Sequence, residues 1–410
     1  MRGKSMSART HSETGRANRR LVLGEIVRNR SISRTAIAAN IGLNAATISR
    51  ITRDLLDADL IVEKELSDPD GRRGRRFVQL SPQGQGGYII GIGINAFRQS
   101  VTLADLENNK VASWEGTGLP MDDGASFLEL CARKSAELVD EHVEDTDRFF
   151  GTGIAIAGHI DKASKRLISA PLLGWNEEID VGAIFRAALN GPITLETPSS
   201  AINLAETTFG IARDYENVVT LHCSLVTGFA MTLGGSAAEG QLTTSSVLSD
   251  APYTSSSDAT GPVEHFPTLE DAQSGRAFVR EIIGEKTGSL TTDAEWGRAM
   301  VDLVGKANAG DATIVKALER LGAGMARTFA LLFTVLKPDL VILAGPLSES
   351  PAFVGALKSQ IAFQTPKRLG DIEVQATEMT HIGAARWLSI RENLIFKDIN
   401  LSQLLAKGGT

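Results

Sequence analysis

Four hydrogen-bonding side chains, Thr47, Ser49, Arg50 and Arg53, recur at helical spacing in a stretch whose opposite face carries Ile48 and Ile51. Guanidinium groups and short hydroxyls are the side chains that bond base edges and phosphate oxygens. The chemistry on offer is therefore recognition of a nucleic acid rather than bond-making. Arg34 opens the same region, and Arg72, Arg73, Arg75 and Arg76 lie in a Gly/Pro/Asp-rich run beyond it. There guanidinium groups can reach phosphates or enter the electronegative minor groove, the alternative being a solvated basic loop. Side chains that make and break bonds are sparse. Cys131 and Cys223 are the only cysteines and lie far apart, which fits a reducing cytoplasm and gives neither a disulfide framework nor zinc-finger spacing.

The elements that must carry these groups are set by the apolar pattern. Ile37, Ala38 and Ile41 share one helical face, Gly42 suits a left-handed turn, and Asn44 offers an oxygen to cap the next helix. Any small three-helix unit could show such spacing. The next stretch of chain is more specific: Ile61–Leu66 and Arg75–Leu80 read as strands joined by a tight loop, which turns a helix-turn-helix into a winged helix. A preceding helix over Arg16–Arg30 puts Leu21, Val22, Ile26 and Val27 inward. Arg19, Arg20, Arg28 and Arg30 stand outside as phosphate contacts or plain solvated charge. DNA-contact candidates are thus Arg34, Asn44, Thr47, Ser49, Arg50, Arg53, Arg72, Arg73, Arg75 and Arg76.

The expected organisation is a disordered tail over 1–15, the winged helix-turn-helix over 16–80, a Gly/Pro-containing linker over 81–87, and a larger α/β region over 88–410. Charge obeys the same division. Residues 1–80 hold sixteen Lys/Arg against nine Asp/Glu, a balance of +7, while the remainder holds 26 against 40, or −14. A polyanion is attracted to the first part and repelled by the second. No run of about twenty apolar residues appears and the N-terminus is polar and basic, so neither a membrane span nor a secretory signal is expected.

Beyond residue 88, strands and helices alternate. Two strands and the start of a third fill Tyr88–Val111, a helix surrounds Phe127–Glu141, and strands fall at Gly151–Ala157 and Ile193–Glu196. A helix over Ser199–Ala212 precedes strands near Val218–Leu221 and Phe229–Leu233. A long helix over Ala312–Leu336 leads into a buried strand ending at Gly345. The Ser/Thr-rich stretch from Gln241 to Thr260 reads as a loop.

In this order the chain resembles the ROK family of repressors and sugar kinases, in particular its transcriptional regulators of the xylose-repressor and N-acetylglucosamine-repressor type. The matching stretches include Ile-Ala-Gly-His-Ile-Asp ending at Asp161, Ser169–Trp175, Leu195–Glu206, Ser-Gly-Arg-Ala at Ser274–Ala277, Lys337–Gly345 and Gly383–Ala385. The resemblance implies an α/β fold with two actin/hexokinase-like (ribonuclease H-like) lobes behind the winged helix. In the kinases of the family, sugar lies between the lobes with ATP beside it.

Measured against that family the kinase groups are missing. The first phosphate loop aligns with Gly93–Phe97, where Phe97 crowds a phosphate and no carboxylate remains for magnesium. The catalytic Glu-Asn-Asp aligns with Glu196-Thr197-Pro198, and proline accepts no proton. The second phosphate loop aligns with Cys223–Gly228, where only Thr227-Gly228 keeps the pattern. The zinc-site cysteines are absent from the Ser/Thr-rich loop, and His265 stands alone. No catalytic residue, metal or cofactor is expected. Gly174, Trp175, Glu196 and Thr197 are the candidates for effector contact, with Glu196 also able to cap the adjacent helix.

The reading is a DNA-binding transcriptional regulator, a repressor acting on a double-stranded operator as a homodimer or homotetramer, with a sugar-like or other polar small-molecule effector. The alternatives are an ATP-dependent sugar kinase carrying a DNA-binding arm, and a regulator whose larger domain is a ligand-free scaffold.

Overall fold

The computed structural model describes residues 3–66, 77–234, 242–247, 268–364, 371–397 and 399–407. The first helix, α1 (Gly3–Asn29), begins at Gly3, so most of the tail expected to be disordered continues the helix. No proline interrupts it, and its two interior glycines, Gly15 and Gly24, cost only about 1 kcal/mol each. Val22, Leu23, Ile26 and Val27 are buried, whereas Leu21, expected inside, is half exposed. Ser33 caps α2 (Arg34–Ile41) by accepting from the Ala36 N–H, and Gly42, at φ 69°, donates back to the Ala38 carbonyl at 3.0 Å. Asn44 accepts from the Thr47 N–H at 2.9 Å and starts α3 (Ala45–Asp57). The wing pairs β1 (Ile61–Leu66) with β2 (Phe77–Pro82) antiparallel, and Ile32 adds a bridge to Leu80. The second wing strand is described from Phe77 on, and the expected start at Arg75 lies outside the described residues.

Lobe I joins on without slack. Its elements are β3 (Tyr88–Ile94), β4 (Gln99–Asp105), β5 (Lys110–Glu115), α4 (Gly124–His142), β6 (Phe149–Ile156), the hairpin β7 (His159–Asp161) and β8 (Arg166–Ser169), α5 (Val181–Ala188), β9 (Ile193–Glu196) and α6 (Pro198–Phe209). The main sheet runs β5-β4-β3-β6-β9. Lobe II comprises β10 (Val218–Cys223), β11 (Thr227–Leu233), β12 (Leu242–Val247), α7 (Leu269–Ala272), α8 (Gly275–Ile283), α9 (Asp293–Asn308), α10 (Ala312–Leu336), β13 (Leu340–Ala344), α11 (Pro351–Gln364) and β14 (Glu373–Ala376). Its sheet runs β12-β11-β10-β13-β14. In each sheet a three-strand antiparallel meander is joined by two parallel strands. The two sheets give the two-lobed α/β architecture that the resemblance implies.

The loop expected over 241–260 is corrected at Leu242–Val247, which form the edge strand β12 against β11. β-branched threonines and an apolar residue at each end suit a strand, even though the composition looks like a linker.

The chain then returns to lobe I. Helix α12 (His381–Ile390) lies on the β3–β6 sheet, where added Cβ atoms at Gly91, Gly93 and Gly153 would meet its backbone at 2.6, 2.8 and 2.3 Å. The Ile-Gly-Ile-Gly-Ile alternation of β3 records this: isoleucines fill one face and glycines admit a helix on the other. A π-helical turn (Arg391–Ile395) and α13 (Leu401–Lys407) complete the chain's return. Leu394, Ile395, Leu401 and Leu404 join Val22, Ile26, Ile48, Leu55 and Leu388 in one hydrophobic core. Winged helix and lobe I therefore share their interior.

The segment expected to be a free linker, 81–87, is packed. Ser81 and Gly86 are buried, Gln83 N–H donates to the Leu60 carbonyl at 3.0 Å, and Arg148 donates to the Gly86 carbonyl at 2.9 Å. A Cβ at Gly86 would lie 2.1 Å from the Asp59 carbonyl oxygen, and one at Gly87 2.0 Å from the Phe150 ring. The glycines read as flexibility in the sequence serve close approach instead.

Candidate nucleic-acid interface and interlobe cleft

Helix α3 puts Ile48, Ile51 and Leu55 fully inside and leaves Ser49, Arg50 and Arg53 exposed with Thr47 at the margin. Arg50 is paired only loosely, with Asp54 one turn on at 3.7 Å, a surface contact that a phosphate or guanine can displace. Arg34 differs from the expectation: its guanidinium donates to Thr52 Oγ1 at 3.0 Å and to Glu63 at 2.6 Å, tying α2 to α3 and the wing. Asn44 is committed through its side-chain oxygen to the α3 cap. Arg72, Arg73, Arg75 and Arg76 lie outside the described residues.

Two arginines read as outward-facing, Arg20 in α1 and Arg30 just past its end, turn instead toward lobe I. Arg20 donates to the Phe396 carbonyl at 2.9 Å, and Arg30 sits 5.5 Å above the Trp387 ring. Arg28 pairs with Glu25, and its backbone carbonyl accepts from Arg213 at 3.1 Å. Sequence periodicity cannot separate these from phosphate contacts, because the covering surface comes from residues more than 180 positions away.

Between the lobes lies a cavity of about 300 Å³, walled by Phe97, Ser199, His222, Ser224, Glu270, Arg276 and Asp293 among others. Arg276 donates to Glu270 at 2.8 Å and to Asp293, and stacks 5.2 Å from the Trp296 ring centroid. Burial raises the Glu270 carboxyl pKa and the Arg276 charge opposes it. His222 is driven by burial down to about 4, so it stays neutral at pH 7.

The loop aligned with a phosphate grip is closed on itself. Asn95 Oδ1 accepts from the N–H groups of Phe97 and Arg98 at 3.0 and 2.7 Å, so amides that could have faced a phosphate are already satisfied. Phe97 reaches lobe II, where a Cβ at Gly297 of α9 would lie 2.4 Å from its ring. Pro198 occupies the first turn of α6, and Thr197, not Glu196, caps that helix by accepting from Ser200 N–H at 3.3 Å. Glu196 is buried against Lys162 at 2.7 Å. The Cys223 thiol is pushed by burial up to about 12, so it is no nucleophile.

Thr197 lines the cleft, whereas Glu196 is paired with Lys162 and is not among the residues that wall it. Gly174 turns at φ 77° on the wall of an adjoining hollow of about 690 Å³. Trp175 leaves the candidate set: it is 3 % exposed, donates to the Met121 carbonyl at 2.6 Å and packs 6.0 Å from Phe127. His265 lies outside the described residues.

Burial raises the Glu196 pKa above its ordinary 4.5, with Lys162 pulling the other way. A carboxyl whose folded pKa is raised favours the fold while protonated and loses that advantage as pH climbs through the folded value. Glu196→Gln is therefore expected to flatten the fall in Tm that sets in as pH rises above the ordinary carboxyl value, as checked by thermal melts at successive pH values.

The ROK family model matches residues 126–386, nearly two thirds of the chain. The chain belongs to the ROK family. The xylose repressor of Bacillus spizizenii is 22% identical over 363 residues, covering 87% of this chain and 89% of that protein. The Escherichia coli DNA-binding transcriptional dual regulator NagC is 21% identical over 388 residues, covering 91% and 92%. A solved ROK family transcriptional regulator, described as a homologue of the E. coli MLC protein, superposes with a TM-score of 0.71 at 18% identity, covering 96% of this chain and 99% of that one. At that coverage the solved regulator spans the winged helix as well as the lobes. Among described residues no helix is long and apolar enough to cross a membrane.

Within this ROK chain the sequence alone does not point to Lys162, Arg276 or Asp293. Arg276 stands in a matching stretch, Ser-Gly-Arg-Ala, whose central arginine is the available signal. Asp293, seventeen residues on, and Lys162 give none, since each finds its partner only through the fold.

Proposed function

We propose that this ROK protein is a DNA-binding transcriptional regulator, a repressor, that reads a double-stranded operator through α3 and performs no phosphoryl transfer. The observation that carries the reading is the split of α3 into a buried Ile48/Ile51/Leu55 face and an open Ser49/Arg50/Arg53 face, on a chain whose full-length relatives are named repressors and regulators. The proline at 198 and the self-satisfied loop at Asn95 support the loss of kinase chemistry, because the position aligned with the catalytic carboxylate holds no base and the loop amides are already bonded. The Arg276 network and Ser199, Ser224 and Thr197 favour a small polar effector in the cleft over an empty scaffold. Such a ligand acts by changing how the lobes sit, and the shared core passes that change to the winged helix.

The test is selection of bound fragments from randomised duplex DNA, and then titration across salt. A defined site whose affinity falls steeply with salt is expected, and binding indifferent to sequence and salt would overturn the reading. Incubation with ATP and a panel of hexoses is expected to give no ADP above background. Turnover abolished by mutation in the cleft would instead restore the kinase.

A further inference from the structure

Helix α9 holds a glycine in its interior, Gly297, where alanine would serve the helix better. What stands opposite explains the choice. A Cβ at Gly297 would lie 2.4, 2.7 and 2.9 Å from Cδ1, Cγ and Cβ of Phe97, which projects from the β3–β4 turn of lobe I. The ring cannot swing clear of such a contact, because its own Cβ is part of it. The turn is also fixed: Asn95 Oδ1 accepts from the Phe97 and Arg98 N–H groups, and the Asn95 carbonyl accepts from the Gln99 amide. Phe97 is thus a half-buried side chain of lobe I lodged against the hydrophobic core of lobe II. The same ring divides the space between the lobes. It walls the inner cavity of about 300 Å³, the adjoining hollow of about 690 Å³, and a third of about 1060 Å³ beside His222, Ser348 and His381. Small-molecule pockets run from about 300 to 1,000 Å³, so the inner cavity stands at the bottom of that range while the ring is seated.

We propose that Phe97 and Gly297 are a knob and notch that latch the two lobes across the cleft and set the size of ligand it admits. The latch goes beyond the regulator reading and does not depend on DNA binding. Helix α6 touches β10 and β11 of lobe II as well as β6 and α12 of lobe I, and the seated ring is a second tie between the lobes. Because the winged helix shares the core of lobe I, that tie also fixes how lobe II sits relative to the recognition helix. A ligand no larger than the inner cavity leaves the latch closed. A larger one has to displace the ring into or past the neighbouring hollow, and its entry is then felt as a movement of one lobe against the other. The position that in the family's kinases grips a phosphate has here become the part that holds the lobes together.

The experiment is a double-mutant cycle on the full chain, read by thermal melts. Gly297→Ala alone is expected to lower Tm, overpacking against the ring outweighing the gain in helix preference. In the Phe97→Ala background the same change is expected to raise Tm by about 2–4 °C, since helix preference is then all that remains. Gly305→Ala, at an α9 glycine with nothing within 4 Å, is the control expected to raise Tm in both backgrounds. Spin labels at Arg133→Cys in α4 and Thr313→Cys in α10, on chains diluted with unlabelled protein, read the distance between the lobes. Both sites are exposed, and the native Cys131 and Cys223 are buried. Wild type is expected to give one narrow distance, and Phe97→Ala a distance that broadens or shifts by more than about 2 Å. Gly297→Ala acting alike in both backgrounds, or a label distance that Phe97→Ala leaves unchanged, would overturn the latch. Operator binding by the wild type tests the regulator reading separately, so either conclusion can fail without the other.

Discussion

Arg50→Ala with Arg53→Ala is expected to weaken operator binding by about 30-fold or more at 0.15 M salt, with melting temperature unchanged. Each arginine that reads a base or holds a phosphate is worth about 1–3 kcal/mol, so two together reach or exceed that loss. Stability should be spared because both side chains are exposed and the apolar face of α3 is untouched. The two roles separate on further measurement. Loss of a phosphate contact weakens all sequences alike and lowers the salt slope by about one, whereas loss of a base contact relaxes preference at one position of the site. Fluorescence anisotropy with specific and scrambled duplexes across salt reads both. Unchanged affinity for the selected site would dismiss α3 as the reader.

The second large effect concerns the junction. Gly86→Val is expected to lower Tm by roughly 5–10 °C and to weaken DNA binding with it. The new Cβ meets the Asp59 carbonyl oxygen at 2.1 Å, and that oxygen is main chain, unable to swing aside. Overpacking of this kind costs about 1–3 kcal/mol and more where backbone must yield, with about 2–4 °C lost per kcal/mol in domains of 150–250 residues. Because Arg148 also holds this turn, the displaced strand carries the wing with it. If the segment were instead a free tether, Gly86→Val would leave both Tm and affinity unaltered, and differential scanning calorimetry decides between the two.

This junction also marks where reading the chain from its residues succeeds and fails. Local signals locate α2, the Gly42 turn, the α3 cap at Asn44, β1 and α10, because each is set by spacing, capping and turn chemistry within a few residues. They fail where distant surface decides the outcome. Gly84, Gly86 and Gly87 look alike as linker glycines and as close-approach glycines, and for the last two only Asp59 and Phe150 tell which. Arg20 and Arg30 look like phosphate ligands until Phe396 and Trp387 arrive. Leu242–Val247 has a linker's composition and is a strand because β11 offers an edge. At the cleft, the absent base at Pro198 is legible outright. The Arg276–Asp293 pair is not, since it depends on where α8 and α9 meet.

The contact between α13 and the recognition helix sets a condition on synthesis. Leu401 and Leu404 complete the interior that Ile48 and Leu55 begin, yet they leave the ribosome roughly 350 residues later, on the order of 20–70 s at ordinary elongation rates. A nascent chain consequently carries a reading head whose hydrophobic underside is still uncovered. Messages truncated by a premature stop near residue 400 should yield protein that is recognised as unfinished and degraded, rather than a shortened molecule able to occupy the operator.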